Sequence, residues 1–202
     1  FLDNAPVIPV IAIQKLEHAV PLAKALVAGG ITNLEVTLRT QHGLKAITLI
    51  RDQVKGANVG VGTVCNATEF DSAVDAGANF VVSPGQSDAL FDRALLTNIP
   101  FLPGAVTATE VMASKEAGFN VLKFFPASTS GGAAAIKAFA GPFADLQFVP
   151  TGGINLDNAG SYLSLSNVRA VGGSWLTPAD AIQNGQWEHI TQIAREASQL
   201  GA

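Results

Sequence analysis

Eight short apolar segments, spaced regularly along the chain, restrict the possible folds of these 202 residues more than any other feature. Successive segments start roughly 20 to 26 residues apart, which is about one strand–helix unit each. Their nearly continuous apolar character is typical of strands that are buried on both faces of a parallel sheet. We predict strands at residues 7–13, 33–37, 58–63, 80–83, 100–103, 121–125, 147–151 and 168–172.

The segments between these strands carry helical signals. Leu16, Val20, Ala23 and Val27 repeat with helical spacing, and a Gly-Gly pair follows them. Beyond residue 177 we expect a closing helix that is split near residues 184–185. Helix-capping residues precede three further segments: Asn66 or Thr68, Thr107 with Glu110 three residues later, and Asn155 or Asp157.

Strands that alternate with helices form either a (β/α)8 TIM barrel or an open, doubly wound sheet. We predict the α/β class and the (β/α)8 barrel, because eight strand–helix units are the number that closes into a barrel. In addition, no dinucleotide-binding glycine motif follows the first strand. No linker or low-complexity segment divides the chain. We therefore expect a single barrel domain over residues 1–202.

The composition argues against several classes of protein. Only 14% of the residues are charged and 48% are hydrophobic, which is incompatible with intrinsic disorder. The formal net charge is −4 and no Lys/Arg cluster occurs, so nucleic acid is not an expected partner. No apolar run reaches the roughly 18 residues of a transmembrane helix, so we expect no membrane partner.

Cys65 is the only cysteine, so a disulfide within the chain is impossible. The beginning of the sequence shows no signal-peptide pattern. These two features favour a reducing, cytoplasmic location. Cys65 follows a predicted strand without a neighbouring base, and we interpret it as a small packing residue.

In a barrel, reactive side chains lie at the carboxyl ends of the strands. Lys123 lies within the sixth apolar segment, where a charged amine is costly to bury. Its side chain could extend to the rim or pair with a carboxylate. A neutral lysine directed into the barrel mouth would instead be a nucleophile that forms a Schiff base with a carbonyl group.

Glu35 and Arg39 lie at the end of the second segment. Asn33, Glu35 and Thr37 alternate with apolar residues and share one face of the strand, which is the inward face of a barrel. Glu35 is a candidate general acid–base, or an ion-pair partner of Lys123 or Arg39. Arg39 could bind a carboxylate with two hydrogen bonds or lie solvated at the rim.

Glycine pairs end the seventh and eighth segments, as Thr-Gly-Gly at 151–153 and Gly-Gly-Ser at 172–174. Glycine lets backbone N–H groups approach an anion closely, and this is the location of the recurrent phosphate site of barrels. We predict a phosphate site there; the alternative is that the glycines only form tight turns. His18, His42 and His189 are far apart without metal-ligand spacing, so we expect no metal.

Seven segments together resemble the 2-keto-3-deoxy-6-phosphogluconate (KDPG) and 4-hydroxy-2-oxoglutarate (KHG) aldolases. The resemblance extends over nearly the whole chain. The segments are Lys-Leu-Glu-His-Ala-Val-Pro at 15–21, Leu-Glu-Val-Thr-Leu-Arg-Thr at 34–40, Val-Gly-Thr-Val at 61–64, Ser-Pro-Gly at 83–85, Lys-Phe-Phe-Pro-Ala at 123–127, Pro-Thr-Gly-Gly-Ile at 150–154 and Gly-Gly-Ser-Trp-Leu at 172–176.

The resemblance implies a class I aldolase on a (β/α)8 barrel. Such enzymes are usually homotrimers and act in the Entner–Doudoroff pathway. Such an enzyme cleaves its phosphorylated keto acid reversibly to pyruvate and D-glyceraldehyde 3-phosphate, and KHG to pyruvate and glyoxylate, without a cofactor or metal. By position, Lys123 matches the Schiff-base lysine of the family and Glu35 its general acid–base. The match also assigns a pyruvate pocket to Arg39, Thr63, Pro84 and Phe125, and a phosphate site to Thr151, Gly152, Gly153, Gly173 and Ser174.

Galactonate-specific relatives share the lysine and the glutamate but lack the counterparts of Arg39 and Phe125, so the resemblance favours the gluconate branch. The remaining alternatives are a galactonate aldolase, a metal-dependent sugar-phosphate epimerase and a non-catalytic sugar-phosphate-binding barrel. Residues 41–43 and 127–130 lie in loops that vary in the family and could tune the preference for the aldehyde.

Overall fold

Strands and helices alternate along the chain in this computed structural model, which describes residue 2 and residues 6–200. The predicted domain ends at 1, 3–5 and 201–202 lie outside the described residues. The strands are β1 (Val7–Ile11), β2 (Asn33–Thr37), β3 (Asn58–Gly62), β4 (Val81–Val82), β5 (Phe101–Leu102), β6 (Val121–Phe124), β7 (Gln147–Pro150) and β8 (Val171–Gly173). The helices are α1 (Ala19–Ala28), α2 (Gly43–Gln53), α3 (Ala67–Asp75), α4 (Asp88–Thr97), α5 (Ala108–Glu116), α6 (Gly132–Phe139), α7 (Leu156–Leu163), α8 (Ala179–Gln183) and α9 (Trp187–Ser198).

Every described strand pair is parallel. Six strands form one curled sheet in the order β5-β4-β3-β2-β1-β8, and β6 pairs with β7. Isolated parallel bridges join Gly104 to Lys123 and Thr151 to Gly172, so the β6–β7 pair contacts both edges of the larger sheet. The predicted α/β class with a parallel sheet is confirmed.

Buried apolar side chains lie on both faces of the strands. Val7 and Val81 belong to the larger group, which packs against the surrounding helices. Their chain neighbours Ile8 and Val82 belong to a second group together with Phe80 and residues of β5 and β7. Successive side chains of a strand point to opposite faces, so β1 and β4 are apolar on both. This double burial explains why the segments are continuously apolar.

The helix boundaries agree with the predicted signals. Gly29 follows α1 as its C-cap, and the side chain of Asn66 caps α3 by accepting from the backbone N–H of Glu69. Thr107 and Glu110 form a complete capping box at the start of α5. Asn155 caps α7, and the final helical segment is split into α8 and α9. No helix of these residues is both long enough and apolar enough to cross a bilayer.

The eighth strand differs from its predicted position of 168–172, because it begins at Val171 and ends at Gly173. The backbone N–H of Val168 closes a turn on the carbonyl of Leu165, and that of Arg169 bonds to Phe148 on β7. Only the residues from Val171 onward pair with β1. The predicted segment therefore starts at an isolated parallel bridge from Val168 to Phe148, before β8, and the shift moves Gly173 from the predicted loop into the strand.

Candidate active site

Lys123 on β6 and Glu35 on β2 form a buried ion pair. The Nζ atom of Lys123 lies 3.2 Å from Oε1 of Glu35, and the two side chains are only 3% and 4% exposed. Of the two ion-pair partners predicted for Glu35, Lys123 and Arg39, the structure shows the contact with Lys123. A proton that passes from the amine to the carboxylate leaves two neutral groups in hydrogen-bond contact. The neutral amine of Lys123 is then a nucleophile, and the protonated carboxyl group of Glu35 is an acid beside it.

The neighbouring strand leaves space for the Glu35 carboxylate. Gly62 on β3 pairs with Thr37, two residues after Glu35 on β2. A Cβ atom at Gly62 would collide with the carboxylate of Glu35. A Cβ atom at Gly60 would similarly collide with the ring of Phe80. The glycines of β3 therefore make room for large side chains that neighbouring strands direct to this face.

Arg39 and Thr63 meet at the carboxyl ends of β2 and β3. The Nε of Arg39 donates to Oγ1 of Thr63 over 3.2 Å. Thr63 has a φ of 64°, in the left-handed region that β-branched residues rarely adopt. Strained backbone of this kind occurs preferentially at ligand sites. The structure thus brings together the two residues that the resemblance assigns to a carboxylate.

Phe125 follows β6 and Pro84 follows β4, and both are predicted to line the pyruvate pocket. The ring of Phe125 is half-buried, and its centroid lies 5.4 Å from the Nζ of Lys123. Pro84 follows β4 and is also half-buried. A Cβ atom at Gly104, after β5, would collide with the carbonyl of Pro84, so these two turns pack tightly.

The predicted phosphate residues lie in the loops after β7 and at the end of β8. Gly152 and Gly153 have φ values of 99° and 73°, which glycine adopts without strain. Thr151 is buried, and its side chain fills the space where Gly172 has no Cβ. The ring of Trp175 likewise fills the space where Gly173 has no Cβ, whereas Ser174 is exposed.

Ser128 adjoins this loop, although it was not among the predicted phosphate residues. Its backbone N–H donates to the carbonyl of Gly152 over 3.1 Å, and a Cβ atom at Gly153 would collide with its hydroxyl group. The only signal in the sequence was the hydroxyl-rich stretch at 128–130. That stretch alone did not indicate which strand end it would contact.

A cavity of about 670 Å³ opens beside these residues. Arg39 and Ser174 line it, so it connects a predicted carboxylate residue with a predicted phosphate residue. Lys15 and His18, from the segment after β1, line it as well. Sequence reasoning missed both in this role, because nothing local to residues 15–18 indicates a contact with the end of β8.

Two further predictions concern residues with metal-binding or redox chemistry. Among the described residues, no group of three or more His, Cys, Asp or Glu side chains is arranged to hold a metal ion. The interpretation of Cys65 as a small packing residue is wrong, because Cys65 is exposed. The preceding Val64 occupies the core position instead. Partial burial of the thiol, and secondarily the Glu69 carboxylate, raise the pKa of Cys65.

Comparison with known proteins agrees with this geometry. The chain matches the family model described as KDPG and KHG aldolase over residues 1–193. It is 50% identical over 196 residues to the 2-dehydro-3-deoxy-phosphogluconate aldolase of Dickeya dadantii, and the match covers 97% of this chain and 92% of that one. It is 49% identical, with the same coverage, to the KHG/KDPG aldolase of Escherichia coli K12.

A solved structure gives the same result. The KDPG aldolase of Legionella pneumophila superposes with a TM-score of 0.96 at 45% identity, over 98% of this chain and 96% of that one. That crystal structure holds pyruvate, captured at low pH as a covalent carbinolamine intermediate. This chain therefore belongs to the KDPG and KHG aldolase family.

Proposed function

We propose that this chain is a class I aldolase, a carbon–carbon lyase that cleaves 2-dehydro-3-deoxy-6-phosphogluconate reversibly to pyruvate and D-glyceraldehyde 3-phosphate. The observation that carries the proposal is the buried contact of Lys123 with Glu35, in a chain about half identical to enzymes with that name. The reaction belongs to the Entner–Doudoroff pathway. The same site is proposed to cleave 4-hydroxy-2-oxoglutarate to pyruvate and glyoxylate.

The reaction begins when the neutral amine of Lys123 attacks the C2 carbonyl of the keto acid. Glu35 supplies the proton with which the carbinolamine loses water, and an iminium forms. When the C3–C4 bond breaks, the iminium accepts the electron pair, and Glu35 takes the proton of the C4 hydroxyl group, through a water molecule. The aldehyde leaves. Glu35 then returns its proton to C3 of the enamine, and water hydrolyses the resulting imine to release pyruvate and the free amine of Lys123.

The other site residues bind and orient the substrate in this proposal. Arg39 and Thr63 hold the pyruvate carboxylate, and Pro84 and Phe125 line the pocket around the reacting carbons. Residues 151–153 and 173–174 bind the phosphate, so that binding energy at the far end supports the chemistry at C2. The imine is the electron sink, and the mechanism needs neither cofactor nor metal.

We also propose that the eight strands close into a single (β/α)8 barrel domain over residues 1–202. The bridges from the β6–β7 pair to both edges of the six-stranded sheet support closure. An apolar group shared by β1, β4, β5 and β7 supports it too, because such residues meet only inside a closed sheet. A homotrimer is proposed from the family resemblance, and the exposed Leu95, Leu96 and Met112 are compatible with a buried interface.

The function is tested by trapping with borohydride in the presence of pyruvate, followed by intact mass measurement and peptide mapping. We expect one stable pyruvate adduct, located on Lys123. The variant Lys123→Arg should give no adduct and no turnover, because a guanidinium stays protonated. Lys137→Arg, which replaces an exposed lysine on α6, serves as the control and should behave like the parent.

A folded Lys123→Arg variant, verified by circular dichroism, that still cleaves the substrate would overturn the assignment of the nucleophile. An adduct on another lysine would do the same. If the parent enzyme binds pyruvate but yields no adduct, the imine mechanism itself is wrong.

A further inference from the structure

The cavity that Arg39 and Ser174 line carries an excess of positive charge. Lys15 and Arg39 line it, and none of the described residues that line it is Asp or Glu. Hydrogen-bond donors from Gln14, Ser174 and further side chains of α8 and its flanks complete the polar part of the wall. Lys15 and Arg39 have no carboxylate partner among the described residues, so together with these neutral donors they form a site for an anion.

The size and the remaining lining of the cavity fit a small organic anion. Its volume of about 670 Å³ lies within the range of small-molecule sites, which is roughly 300–1,000 Å³. Val10, Ile13, Leu22 and Ile182 supply an apolar part of the lining that a carbon chain can contact. Lys123 and Glu35 do not line this cavity. The cavity is therefore separate from the reacting pair, and it shares Ser174 with the predicted phosphate site.

The two permanent cations of the cavity have different surroundings. Arg39 is drawn towards β3 by its hydrogen bond to Thr63, on the side of the predicted pyruvate pocket. Lys15 has no ion-pair partner in the described part of the chain, and its position is held by the bond from the backbone N–H of His18 to its carbonyl. Lys15 is thus the free cation that shares the cavity with Ser174.

The predicted phosphate residues provide no positive charge of their own. Residues 151–153 and 173–174 provide only backbone N–H groups and hydroxyl groups. A phosphate monoester carries about −1.5 to −2 charges at neutral pH, and charge-assisted hydrogen bonds are roughly twice as strong as neutral ones. A cation within reach of Ser174 would supply the missing neutralisation.

We propose that Lys15 binds the phosphate end of the substrate together with Ser174, and that it makes the enzyme selective for phosphorylated keto acids. The inference rests on the proposed aldolase function. Lys15 is a binding residue that contacts the remote phosphate, and it takes no part in forming the imine.

The test compares Lys15→Gln with Lys24→Gln, a control that replaces an exposed lysine of α1 outside the cavity. We expect Lys15→Gln to lower kcat/KM for the phosphorylated substrate about 10- to 100-fold, mainly through KM, as for a lost hydrogen bond to a charged group. The loss on 4-hydroxy-2-oxoglutarate should stay below about threefold. Inorganic phosphate should inhibit the parent and the control competitively, and the variant at least about tenfold more weakly.

Borohydride trapping with pyruvate separates the two proposals, because pyruvate has no phosphate. If the parent is not trapped, the aldolase mechanism fails. If trapping is intact in parent and variant but Lys15→Gln loses nothing, or loses equally on both substrates, the role of Lys15 is wrong. Recovery of phosphate inhibition in Lys15→Arg would support the requirement for charge.

Discussion

At the scale of single residues, the candidate site depends on glycines whose missing side chains leave room for neighbouring groups. Gly62 leaves the space that the Glu35 carboxylate occupies beside Lys123. Gly172 does the same for Thr151, and Gly173 for the ring of Trp175. These glycines determine where the side chains of Glu35, Thr151 and Trp175 lie.

Gly62→Ala should therefore lower kcat without removing a catalytic group. The added methyl group displaces the Glu35 carboxylate from Lys123, and a misplacement of about 1 Å can cost about 100-fold in rate. We expect a kcat loss of that order and a stability loss of about 1–3 kcal/mol from overpacking. Steady-state kinetics and urea unfolding measure the two effects.

Gly160→Ala is the matched control for this prediction. A Cβ atom at Gly160, on the exposed side of α7, has no neighbour within 4 Å. Activity should be unchanged and stability should rise by about 0.5–1 kcal/mol, since alanine favours the helix. Unchanged kcat in Gly62→Ala would show that Glu35 does not need its observed position.

At the scale of the elements, helix ends are governed by short-range hydrogen bonds. The Glu110 carboxylate accepts from the backbone N–H groups of Val106 and Thr107 and from the Thr107 hydroxyl, at 2.8–2.9 Å. Burial alone would raise the pKa of Glu110, but these three hydrogen bonds outweigh it and lower the pKa below its usual 4.5. The ionised form thus stabilises the start of α5.

Glu110→Gln should lower stability in a pH-dependent way. Because the folded-state pKa is depressed, the stabilisation is complete above about pH 4.5 and is lost as the pH falls through the folded-state value. We expect a loss of about 0.5–1 kcal/mol at pH 7, since the capping box is exposed to solvent, and a smaller difference from the parent in acid.

Urea unfolding at pH 7 and at about pH 3 measures this difference. The control is Glu116→Gln, which removes an exposed carboxylate at the other end of the same helix. A pH-independent difference between Glu110→Gln and the parent would show that the charge of Glu110 contributes nothing to the cap.

At the scale of the whole molecule, contacts far apart in sequence join the ends of the chain. Helix α9 packs on α1, where a Cβ atom at Gly29 would collide with Ala194. The hydroxyl of Thr191 donates to the carbonyl of Ala25, 166 residues away along the chain. Strand β8 pairs with β1. First and last elements therefore stabilise one another, as the proposed closed barrel requires.

Unfolding should therefore be a single cooperative transition. Fluorescence of Trp175 and Trp187 reports the region from β8 to α9, and far-ultraviolet circular dichroism reports all helices. In urea the two signals should change at the same midpoint, within error. Separate midpoints would indicate that the two halves of the chain unfold independently, and would contradict the single-domain proposal.

Local features account for what could be predicted from the sequence. The apolar segments, the glycine after α1 and the caps Asn66, Thr107 and Asn155 act within a few residues, so the order and ends of most elements followed from them. The exceptions are informative. In the segment at 168–172, Val168 bridges to Phe148 on β7, and pairing with β1 starts only at Val171. Apolar composition alone does not show which strand a residue pairs with.

The sequence by itself determined the element order, the parallel α/β class and the chemical types of the candidate residues, because periodicity, caps and alternation are local properties. Only the tertiary structure decided which strand ends meet. It placed Lys123 3.2 Å from Glu35 across 88 residues, put Lys15 and Ser174 on one cavity, and turned Cys65 outward. These outcomes depend on strand register and on the packing of side chains from distant segments, which no short stretch of sequence encodes.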